Sequence, residues 1–353
     1  MPAEPLDLTL ELAPRARFEV VDLRTRFHRE HAEALGPYPN VLYWSSHTTA
    51  GFLDRSLAAR LSTTGIPSYL DAFRSMFPEG AGYEHDQLDR REDLDDTQRA
   101  VEPRNADSHL AFIASGLRPC VTHPNRAGEP VCFVELDGVS EGRARRRLMR
   151  VIGFHDEAIV AKVRIEVPVS GHSIDSINLK DPRLGVHEQL DELIARTGVR
   201  RGRLHLSLSP GERHSGLTIN EYETLLMKVD LAEVLSNPFR FAAEKSMHAL
   251  SNPRAVPGKA LDYARYDFVR VFNSGLDTLG LRGSRLERLI ARTLAEPAAR
   301  FLRMRRSVSL LVGAREDGST GFIEGTYQSP ILVQWQHAPR TSRQLDVTLT
   351  SLD

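Results

Sequence analysis

Short apolar segments alternate with polar ones along this chain, and their order recurs in its two halves. In the first half, a predicted strand over Phe18 to Leu23 precedes a predicted helix over Arg26 to Leu35, the apolar strand NVLYWSS and the segment HTTAGFLD. In the second half, the strand SIDSINL precedes a predicted helix over Leu184 to Thr197, the alternating strand GRLHLSLS and the segment HSGLTINEYE. A recurring order of elements is typical of an internal repeat, so the pattern predicts two tandem copies of one domain.

The ends of the halves correspond as well, because each closes with short alternating strands and an arginine-bearing edge. Alternating strands with few helices predict an α+β fold, in which antiparallel sheets carry flanking helices. We place the boundary near Val167 to His172, which gives domains over 1–168 and 169–353. The middles differ: the first is acidic and polar over Asp86 to Ala100, and the second has predicted helices over Leu231 to Leu250 and Ser284 to Arg303.

Composition narrows the range of functions. The 353 residues include 46 basic and 47 acidic ones, so no global field draws the chain to nucleic acid or an anionic membrane, and any anion site is local. The sequence shows no signal peptide and no window approaching the roughly 20 apolar residues of a membrane span, which predicts a cytoplasmic protein. Cys120 and Cys132 lack a CxxC spacing and are predicted to be buried thiols.

Three histidines of the first half lie in polar clusters, namely His47 in SSHTTAG, His85 in GYEHDQ and His109 in NADSH. Imidazole binds divalent metals and transfers protons near neutral pH, so three of them together would suit a metal site or acid–base chemistry. Asp86 and Asp107 would orient these rings or bind a hard cation themselves.

The same residues allow a structural interpretation. Asp86 would then cap a turn, and Asn105 or Asp107 would begin a helix through His109 to Ile113. His123 precedes a proline and fits an extended turn, and His155 fits a strand-to-turn junction. The arginines that follow Glu135 either bind a phosphate or form a solvated strand edge.

At these positions the chain resembles the YjbQ-like family of secondary thiamine-phosphate synthase enzymes. That family carries an HT[ST]AG segment, an HD pair, an NADAH segment, a GTWQ hairpin and a C-E-F-D-G strand followed by arginines. The first half matches these motifs with HTTAG at His47 to Gly51, HD at His85 and Asp86, NADSH at Asn105 to His109, and ELDG at Glu135 to Gly138.

The two halves depart from the family pattern in opposite ways. The first half has no GTWQ segment between Pro124 and Val131, and Val134 replaces the family's cysteine. The second half keeps GLTINE and GTYQ, the latter at Gly325 to Gln328, but lacks the histidine clusters. In a gapless alignment on its glycine, the family's first histidine becomes Glu212. The second copy therefore resembles a site that has lost its metal-binding or acid–base groups.

The resemblance implies an enzyme that joins a pyrimidine pyrophosphate to a thiazole phosphate and releases pyrophosphate, with a trimer as the usual assembly. The leading hypothesis is an enzyme in which His47, His85 and His109 bind a divalent metal (zinc, magnesium or manganese) as cofactor or share acid–base work. The candidate catalytic residues are His47, His85, Asp86, Asn105, Asp107, His109 and Glu135. Those expected to contact a phosphorylated small molecule are Thr48, Thr49, Gly51, Arg145, Arg146, Arg147, Tyr327 and Gln328. The alternatives are a non-catalytic scaffold that binds a metabolite or metal, and a metal-dependent hydrolase.

Overall fold

The structure is a computed structural model and describes residues 4–126, 128–140, 142–236, 241, 304–338 and 340–353. Its strands before residue 156 are β1 (Leu6–Leu12), β2 (Glu19–Asp22), β3 (Asn40–Ser45), β4 (Ala50–Phe52), β5 (Cys120–Pro124), β6 (Cys132–Glu135), β7 (Val139–Ser140), β8 (Arg143–Ala144) and β9 (Arg147–Phe154). The later strands are β10 (Glu157–Pro168), β11 (Asp175–Asn178), β12 (Gly202–Leu208), β13 (Ser215–Asn220), β14 (Ser307–Ala314), β15 (Thr320–Ile323), β16 (Ser329–Gln334) and β17 (Ser342–Leu352).

The α-helices are α1 (Leu23–Leu35), α2 (Arg55–Met76), α3 (Asp96–Val101), α4 (Ala106–Ser115), α5 (Val186–Thr197) and α6 (Leu231–Ser236). Short 3-10 helices cover Leu88–Arg90 and Pro182–Leu184, and a π-helical segment covers Leu226–Asp230. Every strand pairing in the described part of the chain is antiparallel, which confirms the predicted α+β class. Of the predicted later helices, 237–240, 242–250 and all of Ser284 to Arg303 lie outside the described residues.

The chain divides into two compact units. The first comprises Met1–Thr63, Gly116–Tyr222 and Met304–Asp353, and it contains all the strands named above. The second comprises Thr64–Ser115 and Glu223–Arg303. Within the second unit, α3 begins at a capping box, in which Asp95 and Gln98 each accept a backbone N–H of the other. The wholly buried α4 also belongs to this unit.

Two large sheets in the first unit share one order of strands. One sheet runs β1-β9-β3-β5, and the other runs β10-β17-β12-β14-β15. Two smaller sheets also correspond to each other. Their orders are β2-β6-β4 and β11-β16-β13, and in each the last strand along the chain lies in the middle. Strands β10, β17, β12 and β14 thus occupy the places that β1, β9, β3 and β5 occupy in the first sheet. Strand β10, which lies before the predicted boundary, takes the place of a first strand.

The apolar run of β3 is buried on both faces of its sheet. Val41 and Tyr43 belong to one core cluster, and Leu42 and Trp44 belong to another. Because successive side chains of a strand point to opposite faces, this split explains why the run is continuous and not alternating. Strand β12 does alternate between buried and partly exposed positions, and its leucines join the core under α5.

Both cysteines are buried, as predicted. Burial raises the pKa of Cys120 to about 12 and that of Cys132 to about 11, which keeps both as neutral thiols near neutral pH.

Candidate functional site

His47 lies in the loop between β3 and β4, and its ring has a defined tautomer. The backbone N–H of Leu148 donates a hydrogen bond to Nε2 of His47, with an N–N distance of 3.0 Å. An imidazole nitrogen that accepts a hydrogen bond carries no proton, so the proton of the neutral ring is on Nδ1. Burial, together with the charges of Arg147 and Arg145, lowers the pKa of His47 to about 3. His47 is therefore a neutral hydrogen-bond donor at Nδ1.

Arg147 is buried next to this loop and is held by several oxygen atoms. Its Nη2 donates to Oε1 of Glu135 (2.6 Å), to the carbonyl of Asp137 (3.1 Å) and to Oγ1 of Thr49 (3.3 Å). Burial raises the pKa of Glu135, and the charge of Arg147 opposes this shift. The predicted site residues Thr49, Glu135 and Arg147 thus form one buried polar network.

The other two predicted phosphate arginines also have carboxylate partners. Arg145 Nη2 lies 2.8 Å from Oδ2 of the buried Asp137, and Arg145 itself is 30% exposed. Arg146 is 71% exposed and pairs with Glu11 at the surface. Arg146 therefore matches the predicted strand-edge interpretation, whereas Arg145 and Arg147 lie in the polar network of the His47 loop.

Gln328 of the GTYQ segment holds the main chain of the His47 loop. Its Nε2 donates to the carbonyls of Ser45 (2.9 Å) and His47 (3.0 Å), and its Oε1 accepts the N–H of Gly325 (3.0 Å). The side chain is 2% exposed. Gln328 was expected to contact a substrate, but the structure shows it in contact with protein backbone.

Two further residues of the second half contact the same loop. Asn220 Nδ2 donates to the carbonyl of Thr48 (2.8 Å). Gly325 packs so closely that a Cβ placed on it would lie 2.0 Å from the carbonyl oxygen of Ser46. We call Asn220, Gly325 and Gln328 the carbonyl clamp, because they contact four consecutive carbonyls of the loop. Tyr327, by contrast, is 65% exposed.

The second half contains a polar arrangement that parallels the one around Arg147. Arg343, at the start of β17, is completely buried and donates to Oε1 of Gln334 (3.1 Å), Oγ of Ser215 (3.2 Å) and Oε2 of Glu212 (3.0 Å). The N–H of Gln344 donates to Oε1 of Glu212 (2.9 Å), as that of Leu148 does to His47. Oε1 of Glu212 thus accepts a backbone N–H as Nε2 of His47 does. That Glu212 corresponds to the family's first histidine stays a prediction.

In the second unit, His85 is held by two carboxylates from residues after 220. Its Nδ1 lies 2.9 Å from Oε2 of Glu223, and both side chains are buried. The carboxylate of Asp230 accepts hydrogen bonds from the backbone N–H groups of Glu84 and His85, each with an N–O distance of 3.0 Å. Since an ionised carboxylate only accepts hydrogen bonds, Nδ1 of His85 carries a proton and Nε2 is the basic nitrogen.

Glu223 is fixed by the start of a helical segment. The backbone N–H groups of Leu225 (2.7 Å) and Leu226 (2.8 Å) donate to its carboxylate. Burial favours a higher pKa for Glu223, but the hydrogen bonds from His85 and from these two N–H groups outweigh it and lower the pKa. Asp230 ends a π-helical segment, a feature often found at functional sites.

The NADSH motif lies next to His85. The rings of His85 and His109 are 5.4 Å apart between centroids and nearly perpendicular. Asp86 accepts the N–H of Ala106 (3.1 Å) at the beginning of α4, so it caps the helix that carries His109. Asn105 immediately precedes α4, and Asp107 lies in its first turn. The structural interpretation of Asp86 as a cap therefore coexists with the clustering of two predicted histidines.

The predicted metal ligands fall in both units: His47 in the first, His85 and His109 in the second. Over the residues that the structure describes, no three or more His, Cys, Asp and Glu side chains form a group able to hold a metal ion. The three-histidine metal site stays a prediction, and the mechanism proposed for this chain uses no metal. No helix in the described ranges is long and apolar enough to cross a membrane.

Sequence analysis missed Glu223 and Asp230. Glu223 ends the segment HSGLTINEYE and Asp230 follows it, whereas the resemblance of that segment to the family ends at Glu221. Glu223 is 138 residues from His85 in the chain, so no local spacing rule connects the two.

No protein-family model matches the sequence, and no curated protein matches it. Solved structures that are similar include a YbjQ-like protein of unknown function from Sulfolobus solfataricus P2, at 14% identity and a TM-score of 0.32, covering 56% of this chain and 99% of that one. A hypothetical protein from Aeropyrum pernix K1 is similar at 15% identity and a TM-score of 0.31, covering 54% and 98%. An uncharacterized YjbQ/UPF0047-family protein from Clostridium acetobutylicum is similar at 14% identity and a TM-score of 0.26, covering 53% and 98%.

Proposed function

We propose that this chain is an enzyme that uses His85 for acid–base catalysis on a phosphorylated small molecule. One observation carries the proposal: the buried hydrogen bond between Nδ1 of His85 and the carboxylate of Glu223. A carboxylate on one imidazole nitrogen fixes the tautomer and strengthens the other nitrogen as a base, an arrangement that recurs in catalytic histidines. The substrate class and the transfer with release of pyrophosphate come from the YjbQ-like resemblance and belong to the proposal.

In the proposed reaction, the lone pair of the thiazole nitrogen forms the new C–N bond while the C–O bond to pyrophosphate breaks. The imidazolium of His85 donates its Nε2 proton to the leaving pyrophosphate oxygen, and Glu223 stabilises that imidazolium. Asp230 supports this role because it fixes the backbone at Glu84 and His85. His109, whose ring adjoins that of His85, is the second candidate for proton transfer. The proposal does not require a metal bound by three histidines. It follows the acid–base chemistry that the sequence analysis offered as the alternative to a metal site.

We also propose that the chain is an internal duplication whose second copy begins at β10. The shared strand orders and the matching positions of Arg147 and Arg343 support this proposal. The sequence predicted a boundary between the copies within the range Val167 to His172. This proposal places the boundary earlier, at about His155.

The catalytic proposal is tested by measuring pyrophosphate release from a pyrimidine pyrophosphate and a thiazole phosphate. The variants are His85→Gln and Glu223→Gln, with Glu233→Gln as a control, since Glu233 is an exposed glutamate of the neighbouring α6. We expect His85→Gln to abolish turnover and Glu223→Gln to reduce kcat about 10- to 100-fold with an altered pH profile. The control should retain full activity.

Full activity of His85→Gln would refute the catalytic role. If the unaltered chain binds phosphorylated compounds but turns none of them over, the scaffold alternative is favoured. Elemental analysis of the same preparations tests the metal alternative, because metal bound in the unaltered chain and lost in His85→Gln would require a metal-assisted mechanism.

A further inference from the structure

We propose that the carbonyl clamp is a head-to-tail contact that this chain makes once, within itself, and that its two remaining ends are closed against a second copy of the chain. The clamp belongs to the second half of the first unit, and the loop that it holds belongs to the first half. A contact between two different surfaces repeats from copy to copy into a ring or a filament unless its ends are closed. The ends are the counterpart of the clamp in the first half and the counterpart of the His47 loop in the second half. Strand registers identify both, and the catalytic proposal plays no part in the comparison.

Strand registers give the first-half counterpart of each clamp residue. The two smaller sheets match because each pairs a glycine with a valine at the same place, Gly51 with Val134 on β4 and β6, and Gly216 with Val333 on β13 and β16. Counting along the chain from these glycines and valines gives the counterparts. They are Arg55 for Asn220, Glu129 for Gln328 and Arg126 for Gly325.

The first-half counterparts cannot hold the main chain of another loop. Nη2 of Arg55 donates a hydrogen bond to Oε1 of Glu129, with an N–O distance of 3.1 Å, so the two side chains are paired with each other. An ionised carboxylate only accepts hydrogen bonds, so Glu129 cannot bind a carbonyl as the amide of Gln328 does. Gly325 leaves no room for a Cβ against the carbonyl that it meets, whereas Arg126 has a long side chain at that place. This end of the contact therefore presents an ion pair where the clamp presents donors.

The loop after β12 in the second half takes the same place as the His47 loop after β3. Leu208 ends β12 as Ser45 ends β3, and each is paired with the neighbouring long strand, β17 or β9. In each loop a side chain, Glu212 or His47, accepts a backbone N–H of that neighbouring strand. The carbonyls of Leu208 and Glu212 therefore match those of Ser45 and His47, which Gln328 of the clamp holds.

A residue of the second half already holds these matching carbonyls. Nη2 of Arg306 donates to the carbonyls of Leu208 (3.3 Å) and Ser209 (2.9 Å), and its Nη1 donates to the carbonyl of Glu212 (2.7 Å). Arg306 thus does within the second half what Gln328 does between the halves. Its guanidinium occupies the carbonyls that a clamp from another chain would need, so this end of the contact is closed as well.

Residues of the chain itself thus close both ends, an ion pair at one and a guanidinium at the other. A second copy of the chain meets no amide donors at the first end and bonded carbonyls at the second. The chain therefore makes the clamp contact within itself and does not extend through it. A trimer of the kind that the resemblance implies would have to use other surfaces.

The test uses two variants of the full chain, each with one end opened. The clamp variant carries Arg55→Asn, Glu129→Gln and Arg126→Gly, which copy the clamp into the first half. The loop variant carries Arg306→Met, which releases the carbonyls of the second-half loop. Sedimentation velocity measures the mass of each variant alone and of their equal mixture, and circular dichroism checks that both are folded. The matched controls are Arg164→Asn with Asp346→Asn, which remove an ion pair elsewhere on the surface, and Arg183→Met, which alters another exposed arginine.

We expect each variant alone to have the mass of the unaltered chain, because its other end is still closed. The mixture should form a one-to-one complex at concentrations of roughly 10–100 μM, and mixtures with the control variants should not. A folded mixture no heavier than the unaltered chain, or a single variant as heavy as the mixture, would overturn the inference. Arg306→Ala takes the place of Arg306→Met if the latter does not fold. No turnover is measured, so a failure of the catalytic proposal leaves this result unaffected.

Discussion

At the residue scale, His123 shows how one buried histidine couples folding to pH. The ring lies on β5, where the sequence favoured an extended turn, and it makes an edge contact with Tyr43. Its Nε2 is buried without a hydrogen-bond partner among the described residues. Burial lowers the pKa of His123 to about 4, and the charges of Arg24 and Arg55 act in the same direction. The folded protein therefore keeps this ring neutral.

The lowered pKa of His123 predicts that the folded protein loses stability in acid. The unfolded chain binds a proton at His123 below about pH 6.5, whereas the folded chain does so only below about 4, so stability is lost as the pH falls through that interval. His123→Leu should make the loss of unfolding free energy between pH 8 and pH 5 smaller by about 2 kcal/mol. Urea unfolding at both pH values measures this, with the exposed His172→Gln as control. Equal losses in His123→Leu and the unaltered chain would contradict the prediction.

The candidate site was predictable only in part at this scale. The sequence predicted that His47, His85 and His109 share one site, and the structure brings the rings of His85 and His109 to 5.4 Å between centroids. It could not supply Glu223 or Asp230, because their contacts with His85 depend on the tertiary fold and not on local spacing. It also assigned Arg145, Arg146 and Arg147 one role, although burial separates the exposed Arg146 from the other two.

At the element scale, the connection between β15 and β16 packs closely against the loop between β3 and β4. Gly325 leaves no room for a side chain against the carbonyl of Ser46. Gly325→Ala should therefore lower the free energy of unfolding by about 1–3 kcal/mol, because the His47 loop must shift. Gly171→Ala is the matched control, since a Cβ there meets nothing within 4 Å. Thermal unfolding measures this loss, and a Gly325→Ala variant as stable as the control would show that the loop adapts.

The elements themselves were largely predictable because their periodicity is local. The predicted helices over Arg26 to Leu35 and Leu184 to Thr197 correspond to α1 and α5, and NVLYWSS and GRLHLSLS correspond to β3 and β12. The partner of each strand was not predictable in the same way. Strand β10 pairs along its length with β17, almost two hundred residues later, and no pattern within β10 specifies that partner.

At the scale of the whole molecule, the two halves share part of a core in the first unit. One cluster combines Leu42, Trp44 and Ile152 from before residue 156 with Leu311 and Leu352 from after it. Apolar residues of this kind form a contiguous exposed patch when their partners are removed, and such patches cause association or aggregation. The two halves of the first unit therefore do not form independent cores.

This shared core predicts how the chain behaves when it is divided at about His155. Residues 1–155 expressed alone should be insoluble or aggregate, because Leu42, Trp44 and Ile152 lose their covering residues. Expressed together with 156–353, the same fragment should co-purify with it, since the cluster and the carbonyl clamp can form again between separate chains. Gel filtration and circular dichroism of the single and paired fragments measure this. A soluble, monomeric and folded fragment 1–155 would show that the first copy forms its core without the second, and the clamp would then be an added contact on an independent domain.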